Sequence, residues 1–190
     1  NLSDVTIGSQ VWTACNLTVD TYRNGDPIPE VTDPTAWAAL TTGAWCYYNN
    51  DPANECIYGK LYNWYAVNDA RGLAPVGYHV PTDAEWTIFI NCLEGDSVAG
   101  GKMKETGTVH WFSPNVGATN SSGFTALPGG IRYIGGIGVF NYIKEYGEWW
   151  STTDADPPGA WCMQLGYTTN GSFINVNYKR SGLSVRLIKD

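Results

Sequence analysis

The chain has 190 residues, a length that suits one domain of about 100–200 residues with a hydrophobic core of its own. Aromatic residues make up 14% and charged residues 15%, with 9 Trp and 12 Tyr, which excludes a disordered composition. The 18 acidic against 11 basic side chains give a net charge of −7 without any Lys/Arg cluster, so neither a surface that tracks nucleic-acid phosphates nor polybasic membrane attachment is expected. No apolar run approaches the roughly 18 residues of a membrane span, so direct membrane insertion is not expected. The chain opens on Asn1-Leu2-Ser3-Asp4 with no initiator Met and no signal peptide, which fits a processed product or an excised domain.

In chain order, residues 5–12 alternate in the strand manner around Gly8. Asn24-Gly25-Asp26-Pro27 is a turn. Residues 33–40 predict a short helix, with Asp33 as the cap, Pro34 at the first position, and Trp37 and Leu40 on one face. Within residues 58–67 the spacing of Leu61, Trp64, Tyr65 and then Asn68 fits a helix, with a strand as the alternative. The clearest helix follows. Thr82-Asp83-Ala84-Glu85 forms a capping box, and Trp86, Phe89, Ile90 and Leu93 make one apolar stripe that Gly95 ends. No further helix is expected. Residues 131–134, 148–152, 160–165, 171–176 and 183–188 are the strand candidates, and Gly135-Gly136-Ile137-Gly138 reads as a turn between strands rather than a phosphate cradle. Trp37, Trp64 and Trp86 are core candidates. Helices early and a sheet late, with no repeat and no linker, give an α+β, loop-rich single domain spanning residues 1–190.

Cys15, Cys46, Cys56, Cys92 and Cys162 are an odd number, so at least one thiol stays free or pairs between chains. Cys46 and Cys56, ten residues apart across a turn-rich loop, are the first candidates for a disulfide; the alternative is five small buried hydrophobes. No CxxC or Cys/His cluster supports zinc, and no metal site is assigned. His79 precedes a helix cap and reads as structural, and His110 has no nucleophile near it in sequence. The acidic pairs Glu145/Glu148 and Asp154/Asp156 would need to face each other across a cleft, roughly 5–9.5 Å apart, to act as a glycosidase. They read instead as solvated charge. Asp154 and Asp156 alone are too few ligands for calcium. The sequons at Asn16, Asn120 and Asn170 read as chance. No catalytic residue and no cofactor is assigned.

A set of motifs runs in order along almost the whole chain: Thr6-Ile7-Gly8-Ser9-Gln10-Val11-Trp12 with Asn16-Leu17, Gly25-Asp26-Pro27-Ile28-Pro29, Tyr47-Tyr48-Asn49-Asn50-Asp51, Tyr58-Gly59-Lys60-Leu61-Tyr62-Asn63-Trp64-Tyr65-Ala66-Val67, Gly77-Tyr78-His79-Val80-Pro81-Thr82-Asp83-Ala84-Glu85-Trp86, Gly123-Phe124-Thr125-Ala126-Leu127-Pro128-Gly129-Gly130, Trp149-Trp150-Ser151-Thr152-Thr153 and Ser184-Val185-Arg186. Together they resemble the Fibrobacter succinogenes major paralogous domain family. That resemblance implies a bacterial surface or secreted domain, often present in many paralogous copies. The stretch from His79 to Trp86 is also similar to a helix start in formylglycine-generating enzymes, and Gly182-Leu183-Ser184-Val185-Arg186 to their closing strand. This second resemblance implies a C-type-lectin-like fold, with short helices flanking a small twisted antiparallel sheet, shared with the variable proteins of diversity-generating retroelements. Two departures matter. Cys162 stands alone where those enzymes carry a late Cys pair, and the calcium-lectin triplets Glu-Pro-Asn and Trp-Asn-Asp are absent.

The segment from Gly147 to Tyr178 interleaves aromatic rings with Ser, Thr, Asn and Asp, as binding surfaces do. Phe173, Asn175 and Asn177 share one face if residues 172–178 are a strand. Trp149 and Trp150 are expected to point one inward and one outward. The expected ligand face is Trp150, Asp154, Asp156, Trp161, Tyr167, Asn170, Phe173, Asn175, Asn177 and Tyr178. The function expected is non-catalytic recognition of a glycan or a surface protein, outside the cell or at its surface, with self-association possible. A structural subunit of a fibre, layer or phage appendage, and a carbohydrate-active or modifying enzyme, are the alternatives.

Overall fold

The computed structural model describes residues 3–133 and 138–190; the 134–137 portion of the expected strand and turn lies outside them. Its strands are β1 (Asp4–Ile7), β2 (Gln10–Thr13), β3 (Trp45–Cys46), β4 (Leu61–Tyr62), β5 (Tyr78–His79), β6 (Ile131–Tyr133), β7 (Val139–Asn141), β8 (Tyr146–Asp154), β9 (Gly159–Gly166), β10 (Ser172–Tyr178) and β11 (Ile188–Lys189). Its α-helices are α1 (Pro34–Ala38), α2 (Glu55–Tyr58), α3 (Trp64–Val67), α4 (Asp83–Cys92) and α5 (Asp96–Met103). The architecture is mixed α and β, with short helices and several small antiparallel sheets. One sheet runs β1-β2-β11-β5, another β10-β9-β8, and β3-β4 and β6-β7 are two-stranded.

Local sequence explains much of this. The alternation at residues 5–12 is a hairpin rather than one strand, because Gly8 takes φ 61° in a two-residue turn that sets Ile7 opposite Gln10. In α1, Asp33 Oδ1 accepts from the Ala36 amide at 2.7 Å and Pro34 opens the helix. In α4, Thr82 Oγ1 accepts from the Glu85 amide at 3.2 Å while Glu85 Oε2 accepts from the Thr82 amide at 2.8 Å, the reciprocal capping box. Residues 58–67 divide between the two readings: β4 comes first, then α3, with the Asn63 side chain capping the helix.

The β10-β9-β8 sheet separates two cores. Trp150, Ala160 and Cys162 face one core with Leu183, Val185 and Leu187. Trp149, Met163 and Leu165 face the other with Trp12, Trp86 and Phe89. Strand alternation sends the neighbouring indoles to opposite faces, and both faces are covered there, so both are fully buried. The expectation that one ring points outward is therefore corrected, and Trp150 leaves the ligand face.

Helix α5 is a second correction. No helix is expected after Gly95, yet Asp96–Met103 forms one, and Gly100 and Gly101 are where it meets other backbone. A Cβ on Gly100 would collide with the Gly171 carbonyl, and one on Gly101 with the Gly117 carbonyl and Asn170 Oδ1. The expected strand at 183–188 is largely absent as a ladder. Leu183 pairs with Tyr62, the Ser184 amide donates to Glu148 O at 3.1 Å, and Val185 O and Leu187 O accept from Leu17 and Thr13. Only residues 188–189 form β11. The Cys46–Cys56 bridge is also corrected, since all five cysteines are free. Cys46 points into a cluster with Trp37, Ala44 and Leu61, whereas Cys56 is exposed on α2. Burial pushes the Cys46 thiol up to about 12.

Three buried cations join segments far apart in sequence. Arg186 donates to Asn16 Oδ1, Thr13 O, Phe124 O and Thr125 O at 2.7–3.0 Å. Arg132 donates to Val31 O at 2.6 Å, Thr32 O at 2.8 Å and Gly138 O at 3.2 Å, with its guanidinium over the rings of Trp37 and Phe140. Lys104 Nζ donates to Val116 O, Gly166 O and Thr169 O at 2.7–2.9 Å, and its burial pulls the pKa down to about 8. A lysine at position 186 keeps the charge but cannot reach four acceptors in the guanidinium's planar spread. Arg186→Lys is expected to cost about 3 kcal/mol, read as a lower urea midpoint with an unchanged slope.

Candidate functional site

The β8–β9 hairpin and the last residues of β10 build a recessed surface at one end of the three-stranded sheet. Asp154 pairs with Ala160 and Tyr178 with Gly159 in the register there. Between Trp150 and Asp154 the β8 register slips, and the slip carries ties to the helices. Ser151 O accepts from the Trp64 indole at 2.9 Å, and Thr153 Oγ1 accepts from the Asp83 amide at 2.9 Å. A bulge next to a site re-aims the strand it interrupts, and here it is fixed on both sides.

Three hollows meet at this end. One of about 420 Å³ lies between Tyr133, Asp156, Pro158, Val176, Asn177 and Tyr178. A second, about 550 Å³, is lined by Asp154, Ala155, Asp156, Trp161 and Val176. A third of about 250 Å³ is bounded by Tyr65, Pro158, Tyr178, Lys179 and Arg180. Val176 and Tyr178 are 50% and 44% exposed, so apolar surface is available to a partner. Lys179 lies over the Trp64 ring and pairs with Asp154 at 2.5 Å, which anchors the rim.

The residues expected from sequence fall into four places. Asp154, Asp156, Trp161, Asn177 and Tyr178 come together around these hollows. Phe173 and Asn175 are exposed on the neighbouring part of β10. Tyr167 and Asn170 sit at the opposite end. Tyr167 packs edge-on to Phe112 with ring centroids 6.1 Å apart, and Asn170 is wedged against α5. Trp150 is in the core, its indole donating to Tyr62 O at 2.8 Å. Val176, Pro158, Tyr133 and Tyr65 were not expected. Val176 shares the period-two face of Tyr178 and pairs across strands with Trp161, but Tyr65 and Tyr133 arrive from distant segments with no local signal.

Glu148 is a buried carboxylate of the sheet, 5% exposed. Its Oε1 accepts from Gln164 Nε2 at 2.8 Å and its Oε2 from Asn177 Nδ2 at 3.0 Å. Burial raises its pKa, and the two amide donors hold it back. It therefore faces amides, not a second carboxylate. Among the described residues no group of three or more His, Cys, Asp or Glu side chains gathers to hold a metal ion, and no helix is long and apolar enough to cross a membrane.

One comparison with known proteins is decisive. The family model of the Fibrobacter succinogenes major domain matches residues 5–189. The chain belongs to this family. Comparisons with curated proteins and with solved structures found no match. The match to the Fibrobacter succinogenes major domain family spans both cores and the recessed end of β8–β10 together.

His79 lies outside the recess. Its Nε2 meets Glu85 Oε1 at 2.8 Å and its Nδ1 meets Asp190 Oδ1 at 2.7 Å, tying the α4 cap to the C-terminal residue. Partial burial pulls its pKa down, but the Asp190 and Glu85 carboxylates outweigh it and raise the imidazole above its ordinary value. A raised folded pKa stabilises below the unfolded value, about 6.5, and the contribution fades as pH rises through the folded value. His79→Gln is thus expected to lower the thermal midpoint at about pH 6 and to have little effect at about pH 9, measured by circular dichroism melts at both.

Proposed function

We propose that this protein is a non-catalytic recognition domain of a bacterial surface or secreted protein, binding a glycan or a surface protein at the recessed end of β8–β10. The observation that carries the reading is the convergence of half-buried Trp161 with exposed Val176 and Tyr178, flanked by Asp154, Asp156 and Asn177, around three neighbouring hollows that share lining residues. Rings with few rotamers beside adaptable amides and carboxylates suit binding at low entropic cost. The acids support recognition over acid/base chemistry by their partners. Glu148 is held by two amides and Asp154 by Lys179. The reading includes a C-type-lectin-like arrangement, in which short helices flank small antiparallel sheets and late strands carry the ligand. It also includes diversification of the ligand face among paralogues.

A second reading has its own observation. The strand Ser172–Tyr178 is an edge of its sheet, carries no charge, and exposes Phe173, Val176 and Tyr178. Such an edge invites pairing with another chain, as a subunit of a fibre or layer would. Sedimentation velocity over a concentration series separates the two, since a monomer at every concentration removes this second reading.

For the recognition reading, Tyr178→Ala and Trp161→Ala are expected to weaken binding roughly tenfold each on a glycan array or to displayed bacterial surface proteins, while Tyr167→Ala leaves it unchanged. Unaltered binding by folded Tyr178→Ala and Trp161→Ala proteins would remove the recess as the site.

A further inference from the structure

Beside the recess, on the face of the sheet that carries Trp150 and Cys162, the β9 and β10 side chains form an ordered amide array. We propose that Phe173, Gln164, Asn175 and Asn177 form a subsite for a neutral saccharide, and that Glu148 is the buried positioning residue that fixes which way the amides point. The proposal rests on the late sheet being a ligand surface and narrows it to one ligand chemistry.

An ionised carboxylate only accepts hydrogen bonds. Gln164 and Asn177 must therefore turn their NH2 groups toward Glu148, as they do at 2.8 and 3.0 Å. That choice propagates outward. Gln164 Oε1 is left facing β10, where it accepts from Asn175 Nδ2 at 2.9 Å, and Asn177 Oδ1 accepts from the Tyr178 amide at 2.9 Å. Each of the three amide nitrogens uses one of its two hydrogens in these contacts. Among the described residues the second hydrogens have no protein partner, and Asn175 Oδ1 is the free acceptor. The outer surface is thus donor-rich, with its polarity set from inside the sheet.

Phe173 lies directly across from Gln164 in the register and is 47% exposed. An aromatic face beside fixed N–H donors matches a pyranose ring, whose C–H face stacks while its hydroxyl oxygens accept. The net charge of −7 on the chain disfavours an anionic ligand. The cost of Glu148 also argues for a role. Its neighbours along this face of β8 and β9, Trp150 and Cys162, are apolar and buried. A carboxylate in that row, with no cation in salt-bridge contact among the described residues, is expensive for packing alone.

The test follows the side-chain NH2 resonances of Gln164, Asn175 and Asn177 by NMR while the protein is titrated with cellohexaose, xylohexaose or mannohexaose, with an oligogalacturonate as the anionic control. At least one neutral oligosaccharide is expected to shift these resonances and the control is not. Phe173→Ala is expected to weaken that response roughly tenfold. Glu148→Gln has to donate one hydrogen bond where the carboxylate accepted two, which turns one neighbouring amide over and changes the ranking among the neutral sugars. Asn175→Asp, at an exposed position, is expected to abolish binding and serves where Glu148→Gln loses the fold. Shifts confined to Trp161 and Tyr178 overturn the subsite and leave the recess standing as the ligand site. Silence of both sets toward every oligosaccharide overturns the saccharide subsite, and the recess is then judged by the Tyr178→Ala arm against displayed surface proteins.

Discussion

The need to satisfy backbone carbonyls away from regular ladders governs this structure. Short helices and two-residue strands leave long stretches of chain whose polar groups have no ladder to join, and burying them unpaired is costly. Arg186, Arg132 and Lys104 meet that need with their charged heads in the interior, and among the described residues no carboxylate is in salt-bridge contact with them; carbonyl dipoles take the place of counter-ions. Indole N–H groups do the same at smaller scale. Trp37 donates to Arg180 O, Trp45 to Ile28 O, Trp64 to Ser151 O, Trp111 to Ala126 O and Trp150 to Tyr62 O. Each ring fills core volume while its nitrogen ties down a segment distant in sequence.

This changes what the aromatic content means. From sequence, nine tryptophans beside polar residues suggest a binding surface. In three dimensions Trp161 alone among them is not buried. The other eight lie in the core, and on the late sheet what reaches the surface is Tyr178, Phe173 and Val176. Composition cannot separate these roles, because an indole that donates to a buried carbonyl and one that stacks on a ligand are the same residue type. The distinction lies in whether the strand has a covered face, and that is set by segments far away in the chain.

Features coded locally were legible. The capping box at Thr82 and Glu85, the Asp33-Pro34 helix start, and the alternation through β8, β9 and β10 each depend on residues within a few positions of one another. The misread elements depend on distant contacts. Helix α5 carries no local start signal, and Gly100 and Gly101 gain their meaning only from Gly171 and Gly117 packed against them. Residues 183–187 look like a strand from their apolar and polar alternation, yet their backbone bonds are shared among β4, β8 and the 13–17 segment instead of one ladder. At the recess, Asp154, Asp156, Trp161, Asn177 and Tyr178 followed from the aromatic and polar composition of residues 147–178, whereas Tyr133 and Tyr65 could not, since nothing near them in sequence refers to the late sheet.

The division of β10 explains why one strand carries two kinds of surface. It is the edge of its sheet, so each of its faces is only part-covered. Toward the Gly171 end, α5 and the second core take up Ser172 and Ile174 and leave Phe173 and Asn175 outside. Past Asn175 that cover stops, and Val176 and Tyr178 emerge on the opposite face beside Trp161 and the β8–β9 hairpin. Alternation thus places an amide array and an apolar recess back to back on seven residues, with Asn177 touching both. The backbone of this strand is held by the β9 ladder and by the two cores beneath. Substitutions at 173, 175, 176 and 178 therefore change what the surface offers while the buried network of tryptophans and cations keeps its geometry, the condition under which paralogous copies of one fold can differ in ligand.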